Sequence, residues 1–410
     1  MSRSARANIR RLAVGRLISL TGGAAAYTAL MFTIWHRTHS AGLQSLALLL
    51  TFGVSGIIGP VTGSLGDRFD RRKVMIWSEA VSAVIFAVMA FVSAPILLIA
   101  LAFASAVADT PFFSASRAAI PNLAEREEDI TWANSLISIG VHAGIAIGPV
   151  AGGLLLAVAG PSWVFAINAI SFALSVVLTV SVRGSYTNPL REGQEEHTGV
   201  MAGARFIVRD RLLRLVTLAW LVFVLGMGMG MVADAPLAEA FRAGSVGFGL
   251  MIACWGSGSV LGALAGRRLT ARTEPLAILM GCAGVGVAGL AIGFSPTFLL
   301  VLAALLAMGT CDGLQMVAEQ GLMQRRSPDA VRSRVLAASD GVVSMGLAVA
   351  YLLAGPALHA LGPKLVYAVG GVAALAAGAV LLPLLRSREE VVVAEDLIET
   401  DGALELRVTP

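Results

Sequence analysis

The chain has 410 residues, of which 57% are hydrophobic and only 14% charged, and it carries a formal net charge of +4. With a mean hydropathy of +0.80, that composition excludes an ordinary soluble globular domain. It also argues against a nucleic-acid partner, because the basic residues are scattered over separate short loops rather than gathered in one patch.

A helix needs about 20 apolar residues to cross a bilayer, and the chain offers twelve such windows. They fall at roughly 12–35, 45–66, 74–93, 95–116, 131–158, 163–182, 212–235, 245–266, 275–294, 297–320, 334–358 and 364–385, and are called spans 1 to 12. All are expected to be helices, since a segment in lipid must satisfy its backbone internally. Met1 to Arg11 is basic but runs straight into span 1 with no small-residue cleavage site, so no removable signal peptide is expected.

Between spans 2 and 3 lies a tight charged turn, Gly63-Ser-Leu-Gly-Asp-Arg-Phe-Asp-Arg-Arg-Lys73. A weaker copy, Gly262-Ala-Leu-Ala-Gly-Arg-Arg-Leu-Thr-Ala-Arg272, follows span 8, so Leu65 matches Leu264 and Arg68 matches Arg267. The same hinge in both halves points to a duplicated bundle. The fold class expected is therefore an all-α membrane protein, with twelve transmembrane helices in two pseudo-symmetric six-helix bundles. Its parts are an N-terminal bundle 1–182, a central loop 183–211, a C-terminal bundle 212–386 and an acidic tail 387–410.

Orientation follows from Lys and Arg. The turns holding Arg68 to Lys73, Arg117 and Arg126, Arg183 to Arg214, Arg267 to Arg272 and Arg325 to Arg334 share one side with both termini. The other side holds only Arg37, Arg242 and Lys364, which places both termini in the cytoplasm. In the central loop, Gly199 to Arg214 reads as one basic amphipathic helix lying on the anionic inner leaflet. The tail is rich in acid, and alternating apolar residues around Asp401-Gly402 allow a small β-hairpin.

No catalytic set emerges, so no enzyme is expected. His36, His39, His142, His197 and His359 form no metal-binding pair, and Cys254, Cys282 and Cys311 read as buried thiols. Neither metal nor cofactor is expected. The Gly-rich window Gly226 to Gly230 follows no strand, so it is not a phosphate cradle.

Ionisable groups inside the spans are costly and face a cavity or a partner. Glu79, Glu319, Asp340 and Arg16 lie within about two turns of the cytoplasmic face, where a structural salt bridge or snorkelling is cheap. Asp234 ends span 7 and reads as interfacial. Asp109 and Asp312 lie deeper, at matching places in the two halves. A carboxyl in a dry bundle favours its neutral form, and a nearby arginine favours the anion. Asp109, with Arg16 as counter-charge, is therefore the first candidate proton carrier; a permanent Arg16–Asp109 structural pair fits the same residues. Asp312 admits both a coupling and a structural role, and His142 both relay and packing.

Span 5 carries Gly144-x-x-x-Gly148-Pro149-x-x-Gly152-Gly153. Proline in mid-helix bends the axis and the glycines permit close helix packing, so the stretch predicts a kinked, tight seam.

These residues resemble the major facilitator superfamily of secondary transporters over the whole membrane region. Gly63, Asp67, Arg68, Asp70, Arg71 and Arg72 match the family's signature loop, with Asp70 where glycine is commonest. The resemblance implies that the loop latches the halves on the cytoplasmic side, with Asp67 facing the start of span 11. The span 5 pattern resembles the antiporter motif of exporters. Gly15-Arg-Leu-Ile-Ser-Leu20, Asp67-Arg-Phe-Asp-Arg-Arg72, Ala119-Ile-Pro-Asn-Leu123 and Ala133-Asn-Ser135 are similar to the branch of macrolide-efflux and enterobactin-exporter proteins. That branch often has an acid near Leu20-Thr-Gly-Gly-Ala; Gly22 and Gly23 carry none here, which moves weight to Asp109.

The function these readings imply is a proton-coupled antiporter exporting drugs or amphiphilic small molecules by alternating access. The expected partners are protons, the lipid bilayer and a small-molecule substrate, and a monomer in the bacterial inner membrane is expected. A dedicated siderophore or natural-product exporter is the alternative, and proton-symport uptake is disfavoured by the span 5 motif. Phe32, Phe112, Phe113, Trp220 and Phe223, with Trp35 and Trp255, are the candidate cavity aromatics.

Overall fold

The computed structural model describes residues 3–53, 70–123, 143–144, 147–182, 202–327 and 332–382. Among them all regular structure is helical. The first half contains α1 (Arg3–Thr38), α2 (Ala41–Leu48, running into a single π turn at Leu49–Gly53), α3 (Arg71–Met89), α4 (Pro95–Leu123), α5 (Ile147–Ala159) and α6 (Pro161–Ser181). A short helix, α7 (Ala202–Arg209), leads into α8 (Arg211–Ala240), α9 (Gly244–Gly266), α10 (Glu274–Gly293), α11 (Phe298–Arg326) and α12 (Arg332–Leu381).

Eight of these helices are long and apolar enough to cross a membrane. The apolar part of α12, 44 residues, measures about 66 Å as a helix, twice the ~30 Å hydrocarbon core. It makes two crossings, because Gly362 takes φ 76° and Pro363 follows it, breaking the rod into two arms. α3 is as long as a span, but Arg71, Arg72, Lys73 and Glu79 crowd its first turns, and α2 and α5 are the described parts of spans 2 and 5. All twelve expected spans are thereby represented.

The connections remote from the N-terminus are tight. His39, Gly160, Arg242, Gly244 and Gly362, each in the left-handed region, turn the chain between consecutive helices there. At the opposite end, carboxylates cap the helices. Asp70 accepts from the amides of Arg72 and Lys73 at 2.8 and 3.3 Å and so starts α3. That role explains why an acid serves where the family usually has glycine. Asp210 does the same for α8, accepting from Leu212 and Leu213 at 2.9 and 3.0 Å, and Arg326 binds its other oxygen at 2.9 Å.

Asp210 also corrects an expectation. The single amphipathic helix read over 199–214 stops at Arg209, and Arg211 and Arg214 belong to α8. Phe206 and Ile207 pack with Leu213, Met323 and Val335, so this apolar face covers protein rather than lipid.

The two halves pack alike. α1 lies on α6 and α3 on both α4 and α6; correspondingly α8 lies on α12, and α10 on both α11 and α12. Glycines set these second-half contacts: a Cβ at Gly226 would lie 2.8 Å from a carbonyl oxygen of α12, and one at Gly289 would lie 2.8 Å from Gly371. Gly63, Asp67 and Arg68, the Asp401-Gly402 hairpin and His142 lie outside the described residues.

Candidate functional site

Helices of both halves enclose a cavity of about 510 Å³. Its wall is mostly apolar: Tyr27, Phe52, Phe86, Phe172, Phe223, Trp255 and Tyr367 supply rings, and Met227, Met231, Met251 and Met308 supply flexible thioethers. The Gly-Met repeat of α8 explains part of this. Gly226 and Gly228 press against α12, with a Cβ at Gly228 meeting Ala350 at 2.6 Å, while Met227 and Met231 reach the cavity. The π turn at Leu49–Gly53 delivers Thr51 and Phe52 to the same wall.

Two carboxyl groups face this space, Asp109 from α4 and Asp234 from α8. Oδ1 of Asp109 is buried with no hydrogen-bond partner among the described residues. The Arg16 charge acts on it, and the Arg16 guanidinium stacks 4.9 Å above the Phe112 ring. Asp234 accepts a hydrogen bond from the Tyr367 hydroxyl and acts electrostatically on Tyr27 and Tyr351.

Asp234 is thus not interfacial. The sequence window ended span 7 at residue 235, but α8 continues to Ala240 through Pro236, and that extra turn carries Asp234 into the wall.

Glu79 departs further from its expected place near the surface. It is completely buried, its Oε1 accepts from Ser175 Oγ at 2.5 Å, and the charges of Asp109 and Arg16 act on it. Its setting is a polar stripe on α6, Asn168, Ser171, Ser175 and Thr179, all buried and three or four residues apart. That spacing was readable in the sequence and was the signal that could have found Glu79. The stripe lies against α1, where a Cβ on Gly22 would come within 2.5 Å of Asn168 Oδ1. A side chain at position 22 would displace the Ser171 and Asn168 polar groups, and the acid of this layer comes from α3 instead.

Asp312 is buried beside Glu319 but is not part of the cavity wall. Of the expected cavity aromatics, Phe223 and Trp255 reach the wall. Phe112 lies under Arg16, Trp220 backs Phe223 with ring centroids 4.8 Å apart, and Phe32 stacks on Phe248 and His36. These three pack behind or above the wall rather than in it, because their helix faces turn toward neighbouring helices. The Phe113 side chain lies outside the described residues.

The span 5 glycines form a seam on α1. A Cβ at Gly144 would sit 3.1 Å from Leu20, one at Gly148 2.6 Å from Ala24, and one at Gly152 2.6 Å from the Ala25 backbone. Gly153 faces the other half, where Ser245 Oγ donates to its carbonyl at 3.1 Å, and the Pro149 carbonyl carbon lies 3.1 Å from where Gly249 would carry a Cβ. Near the same end, Trp35 Nε1 of α1 donates to Glu239 of α8, and His39 Nδ1 lies 3.6 Å from the same carboxylate. Ser45 of α2 packs on Gly355 of α12. This inter-half layer roofs the cavity at the end remote from the N-terminus. At the other end, Arg72 bonds the Val180 carbonyl at 2.6 Å, and Arg325 pairs with Glu274.

A helical membrane bundle with an internal cavity between two similarly packed halves is the architecture of a secondary transporter. The chain belongs to the Major Facilitator Superfamily, whose family profile matches residues 12–338 and 227–402. Its relatives include the enterobactin exporter EntS of Shigella boydii serotype 4 (strain Sb227), 25% identical over 80% of this chain and 79% of that protein. EntS of Escherichia coli O1:K1 / APEC matches equally. Among solved structures, the nucleoside transporter NupG superposes with a TM-score of 0.73 at 11% identity, covering 92% of this chain and 99% of that one. A bacterial homologue of the iron transporter ferroportin in its inward-facing state superposes with a TM-score of 0.70 at 17% identity, over 93% and 99%. The chain is a multi-pass membrane transporter of small molecules and not an enzyme.

Proposed function

We propose that this transporter is a proton-coupled antiporter that exports drugs or other amphiphilic small molecules. It works as a monomer in the bacterial cytoplasmic membrane with both termini in the cytoplasm. The bundles 1–182 and 212–386 rock about the central cavity, and the span 5 seam is their pivot. Gly63, Asp67, Arg68, Asp70, Arg71 and Arg72 form the latch on the cytoplasmic side.

The observation that carries this reading is Asp109, a carboxyl in the cavity wall with a buried oxygen unpartnered among the described residues and the Arg16 charge nearby. Such a group holds a proton when its surroundings are dry and gives it up to water when water enters, the Arg16 charge then favouring the anion, so its protonation follows the side to which the cavity opens. Asp312 has no place in the wall and serves as its structural counterpart in the second half. The rings and methionines of the wall adapt to varied apolar cargo.

A dedicated siderophore exporter is the second reading, favoured by the relatives named as enterobactin exporters. Inverted membrane vesicles energised with a pH gradient test the coupling. Asp109→Asn is expected to abolish gradient-driven cargo accumulation while leaving cargo binding within about twofold of wild type, an energetically small difference. Accumulation at the wild-type rate removes Asp109 as carrier.

A further inference from the structure

The charge of the cavity wall goes beyond a generic amphiphile. Among its described residues the ionisable groups that can carry full charge at neutral pH are two carboxyls, Asp109 and Asp234, and no lysine, arginine or histidine. The two acids are not equivalent. Asp109 has the Arg16 charge acting on it, whereas the interactions of Asp234 are with hydroxyls: Tyr367 donates to it, and Tyr27 and Tyr351 lie within its electrostatic reach. Asp234 is therefore the place in the cavity where negative charge lacks a cation among the described residues.

The surroundings fit a cation with a large apolar body. Tyr27, Tyr367 and Phe223 come from both halves and offer ring faces and edges to the same space as Asp234, and Met227 and Met231 flank it on α8. A positive centre gains from a nearby carboxylate and from aromatic faces in a poorly hydrated site. Among the described lining residues, an anion of the same shape meets two carboxyls and no base. We propose that the cavity selects monovalent amphiphilic cations, with Asp234 as their counter-charge and Tyr367 holding that carboxylate in place. This rests on the export reading for its physiological sense, but not for its test.

The test is equilibrium binding to the purified full-length protein in detergent, with no gradient present. Two tetrahedral probes of matched shape and opposite charge are used, tetraphenylphosphonium and tetraphenylborate. Saturable binding of the phosphonium is expected, with no displacement by the borate. Asp234→Asn should weaken phosphonium binding about ten- to hundredfold, the range for losing a charged hydrogen-bonding partner. Tyr367→Phe should weaken it by less. Borate binding as tight as phosphonium overturns the proposal, as does unchanged phosphonium affinity in a folded Asp234→Asn variant. If that variant does not fold, the wild-type comparison of the two probes decides alone. Gradient-driven accumulation at the wild-type rate by Asp109→Asn in the vesicle assay, with cation-selective binding intact, would remove the coupling reading and leave this one standing.

Discussion

A carboxyl group inside a helix bundle must be bonded or must change its charge, and the two acids nearest Arg16 take different routes. Glu79 is bound at Oε1 by Ser175 and sealed between α3 and α6, with Oε2 buried and unpartnered among the described residues; Asp109 leaves Oδ1 unpartnered among them too, but at the cavity wall. What separates the two is the cavity, which Asp109 lines and Glu79 does not. Glu79→Ala leaves the polar stripe of α6 short of an acceptor, and a loss of about 1–3 kcal/mol is expected, seen as a lower melting temperature of the purified protein. Glu79→Gln keeps an acceptor for Ser175 and should lose less. Equal melting of wild type and both variants would mean that the Ser175 bond contributes nothing. Asp109→Asn, which breaks no hydrogen bond at Oδ1, should melt close to wild type even though transport fails.

At the scale of helices, the α1–α5 seam is tightly constrained. Gly148 and Gly152 admit no side chain without moving the α1 backbone, so Gly152→Val should destabilise by about 1–3 kcal/mol or more through overpacking. The same denaturation series checks it, and a variant as stable as wild type would show that the two helices are free to part. The seam was legible in advance because glycine every fourth residue beside proline admits few readings. The gap expected between spans 11 and 12, at 358–364, contains the observed break at Gly362. What depth counting along one helix could not supply was the neighbour: Glu79 is two turns from a helix end yet sealed by α6, and Asp234 moved inward because α8 outran its hydropathy window through Pro236. The 199–214 helix failed for a related reason. Asp210 competes as a cap, and a local cap with an Arg326 partner overrides amphipathic continuity.

For the molecule as a whole, export in the proposed orientation requires the roof over the cavity to open for release. Trp35, His39 and Glu239 join α1 to α8 there. Glu239→Ala should therefore raise access from the outer face. A reporter at Gly23→Cys suits the measurement, since that position faces the cavity with nothing within 4 Å of an added Cβ. With Cys254, Cys282 and Cys311 replaced by serine, labelling by an impermeant maleimide should quicken severalfold in Glu239→Ala. An unchanged rate would place the outer barrier elsewhere. The central claim, exchange of cargo for protons, is tested most directly in proteoliposomes holding a pH-sensitive dye and no imposed pH gradient. A cargo gradient alone is expected to move protons in the opposite direction, and Asp109→Asn to abolish that movement. Cargo flux in wild type without proton movement, or with protons travelling in the same direction, would contradict it.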